Sequence, residues 1–467
     1  MGPFMKDKDN TTAMMFRLVI ALLPIVIYAF YKNGVVPFLR DYTDVFGMLY
    51  PLIFILVATV STFVFESLYL IIFEKKRKLK DFIVGSYSFI PGLFLGLILP
   101  MNTPIPIVIM GAFFATIIGK MLFGGFGKNI FNPALIGSLF VTASYAAVIA
   151  NNGGCLNPYE LDTITSSTPL AHASVVEGIG TYKELVGPYG GLFNFFIGNT
   201  PGTLGETSSI LCIIAFIYLT ITKTIKWRIP ATYVLTVFLM TMGIGFYNHV
   251  GIWYPVFQVL SGGLLFGAVF MATDPVTSPV TRSGQVLYGV MLGILTVVLR
   301  YLSSYPEGVL TSILTMNMLV FILDVVGAKA RFKKSKLVIP SIVLVLIAAS
   351  MTFVIAKDKG EVDDTDPNFE IIDVAKNGKD ATYVVTEKGF SSKIKLEVII
   401  KNNKITSIEV LEQDDSFFSK VEDAAYNLKL INKQQDLESC DTVSGATISS
   451  TAMKKAVMNV LKDWEGK

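Results

Sequence analysis

Cysteine, histidine and charge are all scarce in this chain. Its 467 residues include three cysteines, Cys155, Cys212 and Cys440, and two histidines, His172 and His249. No pair of cysteines has the Cys-x-x-Cys spacing, which argues against a thiolate-held iron–sulfur cluster or a structural zinc site within the chain. Two isolated histidines argue against a haem or a histidine metal centre, so no metal ligands are expected. Only 16% of residues are charged, where a soluble domain carries about a quarter. The formal net charge of +3 implies no polyanion, and no nucleic-acid partner is expected. Neither a P-loop spacing nor a dinucleotide fingerprint occurs. No cleavable signal peptide is read at the amino terminus.

What fills the chain is apolar. Hydrophobic residues make up 52% and mean hydropathy is +0.58. A helix needs about 20 apolar residues to cross the hydrocarbon core, and helices are the default span because they satisfy their own backbone hydrogen bonds. Eleven stretches qualify: 13–31, 45–73, 82–100, 104–122, 134–150, 208–223, 229–246, 252–271, 284–302, 308–324 and 337–356. The expected fold is an α-helical polytopic membrane protein of about ten spans plus one anchor span, with a small C-terminal α+β domain. The multi-span region covers 1–330, the connecting loop and anchor helix 331–357, a polar linker 358–379 and the terminal domain 380–467.

Basic residues set the orientation. Lys75-Lys76-Arg77-Lys78 with Lys80 follow the second span. Lys223, Lys226 and Arg228 follow the sixth, and Lys329, Arg331, Lys333, Lys334 and Lys336 follow the tenth. With a cytoplasmic amino terminus, all three clusters fall inside. The loop 151–207, which is net acidic (Glu160, Asp162, Glu177, Glu184 and Glu206 against Lys183), and the terminal domain then fall outside.

Within the terminal domain, Thr382–Val385, Ile394–Ile400 and Ile405–Leu411 read as strands, with Asn402-Asn403 as a turn because Asn tolerates positive φ. Ser449–Trp464 reads as an amphipathic helix burying Met453, Val457, Val460, Leu461 and Trp464. Just before it stands Asp441-Thr442-Val443-Ser444-Gly445-Ala446-Thr447. A near-copy, Asp162-Thr163-Ile164-Thr165-Ser166-Ser167-Thr168, lies in the loop 151–207. In both copies the last threonine precedes a helix start, marked after Thr168 by Pro169 at the first helical position. The plain role of such a threonine is to cap the helix. The same helix terminus also suits a phosphate, and the recurrence on one predicted membrane face adds weight to that second role.

Asp-x-x-Ser-Gly-Ala-Thr before a short helix resembles the flavinylation motif of the FMN-binding domain in the G component of the Rnf complex. The same domain occurs in the C component of the sodium-translocating NADH:quinone reductase. The resemblance implies FMN joined to Thr447 by a phosphoester, with Ser444, Gly445 and Ala446 shaping the turn. This chain departs from that pattern at Glu412-Gln413-Asp414-Asp415-Ser416, where relatives carry a glycine-containing segment.

The membrane region is similar to the D component of Rnf and to the B component of the quinone reductase. The similarity rests on Phe123-Gly124-Gly125-Phe126-Gly127-Lys128-Asn129 with Phe131-Asn132-Pro133-Ala134, on Gly202–Ser208, and on Met271-Ala272-Thr273-Asp274-Pro275-Val276-Thr277-Ser278-Pro279. It implies a second covalent FMN on Thr168, beside Ser167. It also implies a non-covalent riboflavin or FMN near Gly124, Gly125, Asn132 and Asp274. The glycines serve equally as turn or packing residues, and Asp274 equally as a turn former.

Glu66, an acid well inside a span, is a functional candidate by position, or a partner for Arg17 or Arg300. Lys120 is expected to snorkel to the interface. His172 either covers the flavin phosphate or only packs. Cys155 and Cys440, both expected outside, are left as a possible pair.

The implied function is a flavin-carrying subunit of an Rnf-type ferredoxin:NAD oxidoreductase, in the cytoplasmic (inner) cell membrane. Electrons would pass between outer-face flavins with coupled Na⁺ or H⁺ movement. Other membrane and iron–sulfur subunits would bind ferredoxin and NAD, and a flavin transferase would mature the chain. Catalytic side chains are not expected, because the flavin carries the chemistry. Two alternatives keep the same architecture: an extracytoplasmic flavin electron carrier without ion pumping, and a transporter with an external sensor domain.

Overall fold

A computed structural model describes the chain except residues 1–10, 74–84, 152–167, 177, 207, 304–307, 333–334, 361–368, 390–391, 416–417, 435–436, 438–439, 441, 444–445 and 466–467, together with the side chains of a few residues in helices and strands, Thr447 among them. It divides into two units, Met1–Glu361 and Val362–Lys467.

In the first unit every one of the eleven apolar stretches carries a helix. Among the described residues, seven are long and apolar enough to cross a membrane: Thr11–Leu39, Val45–Phe73, Ile105–Phe123, Arg228–Tyr247, Arg282–Leu302, Val309–Ala330 and Leu337–Lys359. The other four depart from the expected full spans. Phe89–Ile98, Pro133–Ile149 and Ser209–Ile221 are short, and 252–271 is broken into Trp253–Leu260 and Leu264–Met271, bent by 63°. Two of the interruptions have a local cause. Phe89–Ile98 stops at Leu99, which is extended (φ −77°, ψ 144°) because it precedes Pro100. The bend at 261–263 passes through an extended Ser261 (ψ 142°) and through Gly262 at φ +66°, a left-handed conformation that favours glycine.

Small residues let the central helices meet. A Cβ at Gly293 would come within 2.5 Å of Thr236, so the backbones of Arg282–Leu302 and Arg228–Tyr247 are in close approach, as is usual where lipid gives no hydrophobic drive. The anchor helix Leu337–Lys359 lies at the periphery: 6% of its most apolar window is buried, against 56% for Arg282–Leu302. It is pinned to the bundle where Asn248 Nδ2 donates to the Ala356 carbonyl at 3.1 Å.

The second unit is a four-stranded antiparallel sheet in the order β1 (Glu370–Asn377), β2 (Asp380–Lys388), β3 (Lys393–Lys401) and β4 (Lys404–Glu412). Tyr383, Val385, Leu396, Val398 and Ile400 alternate inward and bury against Met453, Ala456, Val457 and Val460 of helix Thr447–Glu465. The β3–β4 turn holds Asn402 and Asn403 at φ +50° and +62°, the primed geometry that matches strand twist. Strand β1 occupies about a third of the stretch read as linker, 358–379, and the anchor helix continues to Gly360. As an edge strand β1 leaves Ile372 and Val374 exposed, so its sequence lacks the inward alternation of its neighbours.

Candidate functional site

One cavity of the first unit, with about 760 Å³ of space between atoms and partly open to solvent, gathers residues from several sequence motifs. Asn132 and Asp274 both line it, alongside Lys120, Phe126 and Asn129. Asn132 caps the helix that starts at Pro133, its Oδ1 accepting from Ala134 N at 3.1 Å. Asp274 forms the turn that ends the broken span, accepting from Val276 N at 3.3 Å and Thr277 Oγ1 at 3.0 Å. Its turn role and its place in the cavity wall therefore coexist. Gly124 and Gly125 do not line the cavity. At φ +101° and +89° they turn the loop that carries Phe126 and Asn129 into it.

Behind this cavity lies a buried ion pair. Lys120 Nζ donates to Glu66 Oε1 and Oε2 at 2.9 and 2.8 Å and to the Ser86 carbonyl at 2.8 Å. Ser86 Oγ donates to the same carboxylate. Both side chains are at most 2% exposed. Lys120 thus does not snorkel; the charge of Glu66 gives it a nearer partner than the interface. Neither Arg17 nor Arg300 takes that place. Arg17 donates to the Thr222 carbonyl at 3.1 Å. Arg300 Nη1 donates to the Gln258 carbonyl at 2.5 Å, and Nη2 donates to the Ser261 carbonyl at 3.3 Å. These carbonyls end the half-helix Trp253–Leu260, and a guanidinium there supplies donors that the broken helix lacks.

Thr168 is the N-cap of helix Pro169–Val175, with extended backbone (φ −61°, ψ 152°) and Oγ1 accepting from Ala171 N at 3.3 Å. Pro169 stands at the first helical position, as the sequence implies. Ser167 and the rest of the first motif copy lie outside the described residues. His172 sits one turn on, edge to the Tyr189 ring at 6.3 Å between centroids. Burial lowers its pKa from the ordinary value, with Glu184 opposing the shift. Its packing against Tyr189 is the observed role.

In the second unit, Thr447 is the first residue of its helix rather than the cap. The turn before it is clamped from both sides. Ala446 N donates to the Val443 carbonyl at 3.0 Å. Ser450 Oγ donates to the Ala446 carbonyl at 2.9 Å and accepts from Val443 N at 3.0 Å. Ala446 is buried. Ser444 and Gly445 lie outside the described residues. Asp415, from the segment that departs from the resembled pattern, anchors the helix start: its carboxylate accepts from Ser392 N at 2.9 Å and Ser449 Oγ at 2.7 Å. Sequence reading missed this residue, because nothing local marks an acid whose partners lie 23 and 34 residues away. Cys440 is a buried free thiol, and Cys155 lies outside the described residues.

Comparison with known proteins meets this geometry at both units. The model of the NQR2, RnfD, RnfE family matches residues 1–333. The chain belongs to that family. Residues 389–462 match the FMN-binding domain, so one polypeptide joins the two. The family region is 32% identical over 324 residues to the D component of the proton-translocating ferredoxin:NAD(+) oxidoreductase complex of Clostridium ljungdahlii, covering 69% of this chain and 92% of that one. It is 32% identical over 317 residues to the D component of the Na(+)-translocating ferredoxin:NAD(+) oxidoreductase complex of Acetobacterium woodii, covering 68% of this chain and 89% of that relative. It is also 32% identical over 284 residues to the B component of the Na(+)-translocating NADH-quinone reductase of Chromohalobacter salexigens, covering 58% and 65%. The similarity to these components of oxidoreductase complexes supports a membrane redox subunit, and the FMN-binding domain supports FMN as a cofactor.

Proposed function

We propose that this chain is the flavin-carrying membrane subunit of an Rnf-type, ion-translocating ferredoxin:NAD oxidoreductase complex. It lies in the cytoplasmic membrane with its amino terminus inside and its terminal domain outside. FMN is held by phosphoester bonds to Thr168 and Thr447, and a non-covalent riboflavin or FMN occupies the cavity of Asn132 and Asp274. The observation that carries the reading is the union, in one chain, of a family membrane region bearing a motif-lined cavity and an FMN-binding domain whose Val443–Ala446 turn is fixed ahead of a helix.

The residues present fit these groups. Thr168 is a half-buried helix cap whose hydroxyl oxygen is held at the helix start by Ala171 N, a terminus that suits a phosphate. Buried Ala446 and the Ser450 clamp hold the second threonine at the start of a helix. Asn132, Asn129 and Lys120 supply polar groups at the wall of a largely apolar cavity, the usual make-up of a small-molecule site. Bound FMN supplies one- and two-electron chemistry, which suits a relay between the outer flavins. The chain's part is to hold, space and shield. Partner membrane and iron–sulfur subunits provide the ferredoxin and NAD sites, a flavin transferase attaches the FMN, and Na⁺ or H⁺ is the coupled ion.

The test is flavin fluorescence in a denaturing gel, on protein expressed with a flavin transferase. Wild type gives a fluorescent band, Thr168→Ala and Thr447→Ala each remove part of it, and the double variant removes all. A dark wild-type band, or a fully bright double variant, overturns the attachment.

A further inference from the structure

A groove on the surface of the first unit shares no residue with the cavity of Asn132 and Asp274. It has about 970 Å³ of space between atoms, and its lining side chains are all apolar but for the thiol of Cys212. Two helices and the broken span wall it. Ile213 and Phe216 come from Ser209–Ile221. Ala231, Val234, Leu235 and Phe238 come from Arg228–Tyr247, spaced i, i+3, i+4 and i+7 along one helical face. Leu260 and Leu265 flank the break at 261–263. Ile213 and Leu235 are 36% and 55% exposed, so the groove opens at the bundle surface, where a membrane helix meets lipid.

One end of the groove is basic. The stripe on Arg228–Tyr247 continues one turn back from Ala231 to Arg228 and Trp227, and the half-buried guanidinium lies 5.3 Å from the centre of the exposed indole ring. Lys223 and Lys226 belong to the same loop, and Arg17 of the first helix is docked on it through the Thr222 carbonyl at 3.1 Å. No acidic residue occurs between Glu206 and Asp274, so the helices that wall the groove bring no carboxylate to these cations. Tryptophan beside basic residues is the composition of a membrane–water interface. The length of the groove then selects its occupant. From Arg228 to Phe238 the helix rises about 15 Å, half of the roughly 30 Å hydrocarbon core. A crossing helix of a partner would need an apolar track about twice as long, whereas the chains of one leaflet reach that depth.

We propose that this groove binds an anionic phospholipid from the leaflet beside loop 222–228, its acyl chains along the apolar stripe and its phosphate held by Arg228 and Lys226. The planar donor fork of arginine suits a phosphate. The chains pack against Leu260 and Leu265, one on each half of the bent span. The site is independent of both threonines and of any flavin.

The experiment titrates the full-length protein in detergent with phosphatidylglycerol and with phosphatidylcholine of the same chains, and counts bound lipid by native mass spectrometry. Phosphatidylglycerol is expected to bind more tightly, and Arg228→Gln to weaken it about fivefold with little effect on phosphatidylcholine. Val234→Trp, which fills the groove, is expected to weaken both lipids. Glycerol 3-phosphate, a headgroup without chains, is expected not to displace them. A phosphatidylglycerol with a photoactivatable diazirine in its chain tests the unaltered protein, so the result does not depend on any variant folding. Its crosslinks are expected to concentrate at 212–216 and 230–238. Equal retention of the two lipids, displacement by glycerol 3-phosphate, or crosslinks spread evenly over the exposed helices overturns the proposal. So does a groove that takes the probe in the isolated chain but excludes it when the chain is purified with its membrane partners, which assigns the surface to a protein neighbour.

Discussion

Replacing Lys120 by methionine removes one charge of a pair in which both side chains are at most 2% exposed. The methionine fills most of the same volume, so the packing change is small. The electrostatic change is not, because Glu66 keeps its carboxylate and loses two hydrogen bonds of 2.8 and 2.9 Å. Ser86 Oγ then remains its one partner among the described contacts. Removing one member of a buried pair costs about 3–5 kcal/mol, whereas replacing both by apolar groups is close to neutral. Lys120→Met is therefore expected to lose about 3–5 kcal/mol, and Glu66→Leu with Lys120→Met to recover most of that loss. The assay is a double-mutant cycle on detergent-solubilised protein, read as the midpoint of unfolding in denaturing detergent. A single variant within about 1 kcal/mol of wild type, or a double variant worse than the single, refutes the reasoning. A second readout separates structure from site: because Lys120 also lines the cavity of Asn132 and Asp274, the double variant is expected to refold while retaining less extractable flavin.

Three further expectations follow from particular contacts. Asp415→Ala leaves Ser392 N and Ser449 Oγ without the carboxylate, at a cost of at least about 2 kcal/mol; faster amide exchange at 447–450 than in wild type checks it, and unchanged exchange refutes it. Asp463 has its pKa lowered by hydrogen bonds from Lys376 and Tyr383, so its contribution is present above the unfolded value of about 3.9 and is lost as pH falls through the lower folded value. Acid titration followed by tail tryptophan emission should show a transition that Lys376→Met moves to higher pH and that added salt weakens, because the pair is exposed. His172 has a folded pKa below its unfolded value of about 6.5, so the folded state takes up a proton less readily. Stability should fall as pH drops below about 6.5, levelling once the lower folded value is passed, and His172→Gln should flatten that slope in thermal unfolding followed from about pH 7 down to about pH 5.

The helices of the membrane region are legible because each carries its own signal, a run of apolar residues long enough to be read locally. Their lengths are less so. Phe89–Ile98 and the broken pair at 261–263 sit inside runs that remain apolar through the interruption, and hydropathy counts residues without regard to backbone direction. The signals that mark the breaks are single residues: Pro100 after an extended Leu99, and Gly262-Gly263 in the middle of a run. Strand β1 escapes for the opposite reason. Its edge position leaves it without alternation, yet Asn377-Gly378 before β2, with Gly378 at φ +66°, is a hairpin signal that the surrounding charge obscures.

The partners of buried charges lie beyond sequence reading because pairing depends on three-dimensional proximity. Glu66 has three basic candidates in the apolar region, Arg17, Arg300 and Lys120, and hydropathy ranks them by exposure cost alone. That ranking sends Lys120 to the interface. The fold reverses it: Ser86, ahead of helix Phe89–Ile98, and Lys120, near the end of Ile105–Phe123, both lie beside Glu66, so that Lys120 makes four donor contacts there. Arg300 is drawn elsewhere by the break at 261–263. The bent span exposes carbonyls that no helix satisfies, and a guanidinium with its fixed fork of donors meets more than one of them at once. The bent span, which hydropathy renders as an ordinary one, thus decides where Arg300 goes. Lys120 lines the cavity of Asn132 and Asp274, and Arg300 lines a second one with Tyr254 and Tyr301. A broken span in a membrane protein is tolerated where it borders a cavity. Here Arg300, which repairs the break at 261–263, is also one of the residues that give its cavity its charge.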